Sequence, residues 1–350
     1  TLIPPAGFYL FYALPGQIIS AASCIRLTTT LFFGNLPLCL SHQEVYMNPA
    51  FIIESRCFDI RQIALSGQCF RMEQLSLSDS ENEIRYSVVS QNRYLELLQE
   101  TAHSGLSRVS FFCPEKDCAF WSFYFDLDTD YESYLSSISP DDSYLMAAGQ
   151  AGTGIRILRQ DLWEMIVTFM ISQQKTIPAI RQAVENLSRL YGTPLSTMTG
   201  EIYYTFPNPE QLSTASVQDL LDLKLGYRAK YISKITQDAC SGVLDLNYLS
   251  ALDYPSSMEY LRQFYGIGEK VANCICLFGL HHIDAFPVDT WIQKILIKEY
   301  YPKHSRRYKK LTKNRLYQTI IQDYFSQYKG YAGLMQQYIF FYERMVQTLT

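Results

Sequence analysis

The sequence is short of charge and short of ordered cysteine. Only 18% of its 350 residues are Asp, Glu, Lys or Arg, yet no segment is a polar low-complexity tract, which excludes a largely disordered chain. The nine cysteines (Cys24, Cys39, Cys57, Cys69, Cys113, Cys118, Cys240, Cys274 and Cys276) are odd in number and irregular in spacing. That excludes a disulfide framework and fits a reducing cytoplasm. Cys113 and Cys118 bracket Pro-Glu-Lys-Asp, but no second pair completes a zinc site, and the segment reads as a tight turn between strands. Positive charge is not in excess either: the net charge is −4. A basic total is therefore absent, and any phosphate binding must use a local surface.

The charge is unevenly spread. Residues 1–150 carry 8 basic and 17 acidic side chains, and residues 151–350 carry 22 and 17. The densest basic stretch runs from Lys294 to Arg315, with Glu299 as its one acid. It reads as a solvated face or as a phosphate-binding surface. Hydrophobic residues make up 48%, enough for two compact domains with their own cores.

Residues 1–46 stand apart, with Arg26 and Glu44 as their only charges. The uncharged run to Ile25 is long enough for a membrane helix, but Pro4, Pro5, Pro15, Gly7 and Gly16 break it. A signal peptide would begin with basic residues, and none is present. Ordinary patterning starts after Met47, so the expectation is a natural start at Met47, with 1–46 a non-native or unstructured extension.

The body reads as α+β. Residues 47–140 predict an antiparallel β domain: "CFDIRQIALSGQCFRM" alternates and breaks at Ser66-Gly67, "EIRYSVVSQ" reads as a strand, and "RVSFFCPEKDCAFWSFYFDL" has the shape of a hairpin. "RYLELLQE" is ambiguous. Residues 141–350 predict an all-helical domain. Asp161 is a natural N-cap for "LWEMIVTFMISQQ", whose apolar residues recur at helical spacing. Further helices follow, the last two over about 312–327 and 331–348, with a helix–hairpin–helix over 257–280.

"FYGIGEKVANCICLFGL", residues 264–280, carries the most chemistry. Gly266 and Gly268 permit a left-handed turn without side chains. With the helix start that follows, their amides form a cradle suited to a phosphate. No strand precedes them and no third glycine follows in register, so this is not a dinucleotide fingerprint. Lys270 falls in the first turn of an apolar helix, where the macrodipole and desolvation both disfavour an ammonium group. Such a lysine is a candidate amine nucleophile; a surface lysine paired with Glu269 is the plainer alternative. Cys274 and Cys276, further along, read as packing residues. Nineteen residues after Lys270, Asp289 is placed to cap the next helix and to hold an oriented carboxylate.

These residues resemble the helix–hairpin–helix DNA glycosylase superfamily, and within it the 8-oxoguanine DNA glycosylase/AP lyase family. "LSGQCFRM", "GIRILRQD", "LGYRAKY" and "GYAGLMQQYIFF" fall in that family's order, and the resemblance covers most of residues 55–345. It implies base excision repair: a damaged purine flipped out of double-stranded DNA, Lys270 as nucleophile at C1′ and Schiff-base former, then β-elimination, with Asp289 stabilising positive charge on the sugar. It further implies Gly67, Cys274, Gln336 and Phe340 around the base, and Gln174, Tyr227 and Arg228 filling the gap, beside Gly266 and Gly268 on the phosphates. Ala179 stands where better-known members carry an arginine that contacts cytosine. Trp291 replaces a histidine and Tyr265 a hairpin proline. No cofactor or metal is required by this chemistry, although a monovalent or divalent cation could bridge the hairpin carbonyls to a phosphate. Related glycosylases that hold a four-cysteine iron–sulfur cluster need cysteines beyond Cys276, and there are none. The expectation is a bacterial, cytoplasmic, nucleoid-associated monomer without a membrane partner. Two alternatives stay open: a glycosylase for alkylated or other damaged bases, and a non-catalytic module that grips DNA phosphates.

Overall fold

The structure is a computed structural model that describes residues 11–12, 23–26, 44–75, 83–101 and 106–349. The expectation for residues 1–46 therefore lies almost entirely outside the described residues.

Five antiparallel strands form the main sheet: β1 (Phe51–Ser55), β2 (Met72–Gln74), β3 (Glu83–Ser90), β4 (Arg93–Thr101) and β5 (Ser107–Phe112). Their spatial order is β1-β5-β4-β3-β2, and Phe11–Tyr12 add a short sixth strand outside β1. The ambiguous "RYLELLQE" is β4, in the middle of the sheet. It pairs with β3 through a two-residue turn in which Gln91 takes φ 53°, the left-handed geometry such hairpins need. Phe51 and Phe111 stack on the inner face with ring centres 4.2 Å apart.

Two segments expected as strands are helices. Within "CFDIRQIALSGQCFRM" lies α1 (Ile60–Leu65), capped by Asp59, whose side chain accepts from the Gln62 amide at 2.7 Å. After β5 the chain does not return as a hairpin strand. One 3-10 turn, Glu115–Asp117, leads into α2 (Cys118–Tyr124). Trp121, Tyr124 and Phe125 from this region are buried against the sheet, so burial of one helical face outweighs the strand preference of the aromatics.

The second unit is mainly helical: α3 (Ser143–Ala151), α4 (Leu162–Ile171), α5 (Ile177–Tyr191), α6 (Arg228–Cys240), α7 (Tyr254–Leu261), α8 (Glu269–Phe278), α9 (Thr290–Ile295), α10 (Lys313–Phe325) and α11 (Ala332–Leu349). Asp161 caps α4 as expected, accepting from the Glu164 amide at 2.8 Å. The unit is not all-helical: Pro194–Ser196 and Ile202–Tyr204 form a small antiparallel ribbon after α5. The helix α9 passes into a π turn over Leu296–Tyr300. No described helix is long and apolar enough to cross a membrane.

A buried polar knot joins the units. The guanidinium of Arg156 donates to the carbonyls of Phe125 (3.0 Å), Cys57 (3.1 Å) and Thr129 (2.9 Å). Beside it, Asp126 accepts from Tyr131 Oη at 2.9 Å and pairs with Arg159 at 2.8 Å. Burial alone would raise the Asp126 carboxyl, but the hydrogen bonds and charges of His281 and Arg159 prevail and lower it from 3.8 to about 2. A carboxylate whose pKa is depressed on folding stabilises the fold above its unfolded value and loses that contribution as pH falls through the folded one. The shift corresponds to about 2 kcal/mol. Chemical unfolding of the parent and Asp126→Asn is expected to show a parent advantage of that order at pH 6 that shrinks between about pH 4 and pH 2. An advantage independent of pH over that window would contradict the assignment.

Candidate active site

The site grows from the helix–hairpin–helix. Asp253 starts α7 by accepting from the Ser256 amide at 3.0 Å. The turn after α7 depends on Gly266, at φ +90°, where an added Cβ would lie 2.5 Å from the Tyr231 ring. Gly268 differs from expectation. Its φ is −91°, and it serves as the extended N-cap of α8 with open space where a side chain would be. No side chain caps α8, so its first amides stay available to an anion.

Lys270 is half-buried in the first turn of α8. Its Nζ lies 3.5 Å from Ser172 Oγ and 5.5 Å from the centre of the Phe169 ring, both contributed by α4 and its end. Glu269 does not pair with it; that carboxylate accepts from Gln318 on α10 at 3.4 Å. One turn on, Cys274 is buried. Burial pushes its thiol up, Lys270 pulls it down through charge and a hydrogen bond, and Asp289 raises it. Lys270 and Asp289 thus act on this one buried thiol with opposite signs. Asp289 caps α9 with Oδ1 alone, accepting from Trp291 N at 3.0 Å and Ile292 N at 2.8 Å.

Of the residues expected around the base, Gly67 and Phe340 lie together. Gly67 follows α1 at φ +81°, and a Cβ there would lie 3.3 Å from Phe340 Cε1 and 3.5 Å from Arg344 Nη1. Phe340 is half-buried on α11. Gln336, one turn earlier, is buried, and its Oε1 accepts from Gln337 Nε2 at 2.8 Å. Gly67, Phe340 and Lys270 come from elements far apart in the chain.

The outer rim is also tied together. Gln174 and Tyr227 are exposed, with Gln174 at φ 51°. Arg228 is buried instead, donating to the carbonyls of Gln173 (2.7 Å) and Leu225 (3.2 Å) while its guanidinium lies 4.4 Å from the Tyr227 ring. Gln173 Nε2 donates in turn to the Gly266 carbonyl at 3.1 Å. The Gln173–Gln174 loop, the Tyr227 turn and the hairpin are therefore tied together. Ala179 is exposed on α5 near this rim, and Trp291 is half-buried with Lys294 Nζ 5.4 Å from its ring. Lys303, Arg306, Arg307, Lys309, Lys310 and Lys313 are exposed. Among the described residues no group of three or more His, Cys, Asp or Glu is set to hold a metal ion.

Sequence reasoning did not single out Phe169, Ser172, Arg181 or Arg344. The first two lie in "TFMISQQ", an apolar helix end with no motif, and only packing brings them to Lys270.

Comparison with known proteins gives consistent matches. The family model for the 8-oxoguanine DNA glycosylase N-terminal domain matches residues 50–166, and that for the HhH-GPD superfamily of base excision DNA repair proteins matches 167–318. The N-glycosylase/DNA lyase of Saccharomyces cerevisiae is 33% identical over 190 residues, 51% of this chain and 50% of that protein. N-glycosylase/DNA lyase OGG1 of Arabidopsis thaliana is 32% identical over 198 residues, 55% of this chain and 53% of that protein. The match thus spans about half the length of these two relatives. Among solved structures, the Clostridium acetobutylicum 8-oxoguanine glycosylase/lyase, in complex with double-stranded DNA containing cytosine opposite 8-oxoG, superposes with TM-score 0.73 at 30% identity. That match covers 86% of this chain and 97% of the other. MBOgg1 in complex with a low affinity DNA ligand gives 0.71 and 31%, covering 85% and 96%.

Proposed function

The chain belongs to the 8-oxoguanine DNA glycosylase family of the helix–hairpin–helix superfamily, and from that membership we propose that it is a bifunctional glycosylase and AP lyase acting on 8-oxoguanine in duplex DNA. The observation that carries this reading is Lys270 in the first turn of α8 behind the glycine hairpin, one turn before the buried Cys274 and 3.5 Å from Ser172 Oγ, together with the Gly67 turn packed against Phe340. A non-catalytic phosphate-binding module would need the hairpin but not Lys270 or the Gly67 turn.

The proposed sequence of events uses this chain's residues in turn. The uncapped start of α8 holds a backbone phosphate, and Gln174 and Tyr227 enter the gap left by the extruded nucleotide. The base enters between Cys274 and Phe340, where the Gly67 carbonyl accepts the N7–H that 8-oxoguanine has and guanine lacks. Gln336 meets the Watson–Crick edge through its Nε2, since its Oε1 is engaged by Gln337. The neutral amine of Lys270 attacks C1′ as the glycosidic bond breaks with its electron pair leaving on the base. Asp289 stabilises the positive charge that develops on the sugar. Loss of an amine proton and opening of the sugar ring give the Schiff base, and removal of a C2′ proton expels the 3′ phosphate.

Of the hairpin carbonyls, that of Phe264 accepts from Ile267 N at 3.1 Å and that of Gly266 from Gln173. Tyr265 and Ile267 are thus the residues whose carbonyls fit a cation. Such an ion would add positive charge beside the phosphate.

Ala179 cannot supply the charged donors that an arginine offers an opposite cytosine. Single-turnover excision from duplexes with 8-oxoguanine opposite each of the four bases is expected to give rates within about fivefold of one another, since one lost bidentate contact removes roughly 1–3 kcal/mol of discrimination. A large cytosine preference would refute the opposite-base reading. No excision from any of the four would overturn the functional reading itself.

A further inference from the structure

The helix α1 has six residues and ends two residues before Gly67, so its last carbonyls have no partner within the helix. Two of them are held from elsewhere in the chain. Arg181 on α5 donates from Nη2 to the Ala64 carbonyl at 2.8 Å, and Arg344 on α11 donates from Nη1 to the Leu65 carbonyl at 3.0 Å. On the far side of the turn, Gln68 is fixed as well: its Nε2 donates to Ser66 Oγ (2.9 Å) and to the Arg156 carbonyl (2.8 Å), and its Oε1 accepts from Leu158 N (2.9 Å). Between these anchors, the Gly67 carbonyl has no donor among the described residues. The turn is held on both sides while its own acceptor stays open.

Arg344 does more than hold one carbonyl. Its guanidinium carbon lies 5.3 Å from the centre of the Phe340 ring, and Nη1 borders the space over Gly67. Burial disfavours its charge, the Asp289 carboxylate favours it, and Arg181 opposes it. One side chain thus lies against both Phe340 and the Gly67 turn. Each fork is favourable toward the carbonyl end of a short helix, enough to bring two like charges together there, and each fixes direction as well as charge.

We propose that Arg344 and Arg181 are positioning residues for base recognition, which clamp the carbonyl end of α1 to the helical domain and so aim the Gly67 carbonyl at the extruded base. The inference rests on the functional reading above. Its consequence is selective. Base excision needs the Gly67 acceptor in place, because an error of about 1 Å in a positioned group can cost roughly a hundredfold in rate. Strand nicking at an abasic site has no base to read.

The test compares the parent with Arg344→Met, Arg344→Lys and Arg181→Met in two single-turnover assays. One is excision of 8-oxoguanine from duplex DNA, and the other is nicking of the same duplex carrying a preformed abasic site. Arg344→Met is expected to lose about 10- to 100-fold in excision and at least tenfold less in nicking. Arg344→Lys keeps the charge near Asp289 but not the fork, and is expected to recover part of the excision rate. Arg181→Met, which leaves Arg344 in place, tests the clamp should Arg344→Met fold poorly, and the same split is expected. Unchanged excision in a folded variant, or equal losses in both assays, overturns the inference. A parent that nicks abasic DNA but leaves 8-oxoguanine in place overturns the functional reading instead.

Discussion

Lys270→Gln is expected to abolish covalent trapping of the protein on 8-oxoguanine DNA by borohydride, and to reduce excision and nicking by about a thousandfold or more while duplex binding persists. The amine is the only part of the reaction that the variant removes. Borohydride traps a Schiff base by delivering hydride to its C=N carbon, so an adduct needs a primary amine at the sugar. On the proposed reading, duplex binding uses instead the hairpin amides, the uncapped start of α8 and the exposed basic side chains, all of which the variant keeps. The fold should tolerate the change. Lys270 is half-buried, its hydrogen bond to Ser172 is 3.5 Å long, and no acid pairs with it among the described residues. A trapped adduct in Lys270→Gln would assign the nucleophile elsewhere. Tight binding without trapping in the parent would favour a binding module.

The position of Lys270 explains why a chain would start an apolar helix with an ammonium group. Residues Val271 to Phe278 are all buried, so α8 serves as a core helix and fixes its own first turn against α4. The exposed hairpin leaves that turn facing outward. The lysine stem is therefore anchored on rigid structure, which is what the proposed nucleophile requires.

Much of this was legible in the sequence because it is local. The apolar spacing of α4 with Asp161 before it, the glycine hairpin, and the distance from Lys270 to Asp289 are short-range signals that survive in the fold. Where reading failed, local signals conflicted. In α1, six residues are too few to separate a helical period from alternation, and the buried set Ile60, Ile63 and Ala64 shows its spacing only in hindsight. In α2, a run of aromatics favours a strand, and the sheet's need for a cover decides otherwise. The arginine clamp carried no signal at all. Ala64, Leu65, Arg181 and Arg344 meet through separations of 117 and 279 residues, and nothing in the surrounding residues marks either arginine.

Asp289→Asn should separate the two tasks of that carboxylate. The cap uses Oδ1 alone, through bonds from Trp291 and Ile292, and asparagine caps helices about as well as aspartate. The start of α9 should therefore stay in place and the melting temperature should barely move. What disappears is the negative charge. If Asp289 stabilises the cationic sugar, excision by Asp289→Asn should fall by about 10²–10³-fold, the range lost when one preorganised electrostatic partner is removed. Asp289→Ala removes the cap as well, at a cost of about 1 kcal/mol, so it should show the same chemical defect plus a small loss of thermal stability. A structural role alone predicts the opposite ranking, with asparagine near parental activity and alanine impaired. The comparison therefore turns on asparagine: its excision rate, read beside an unchanged melting temperature, decides whether Asp289 is a cap that happens to lie near Lys270 or a catalytic acid that the cap holds in place.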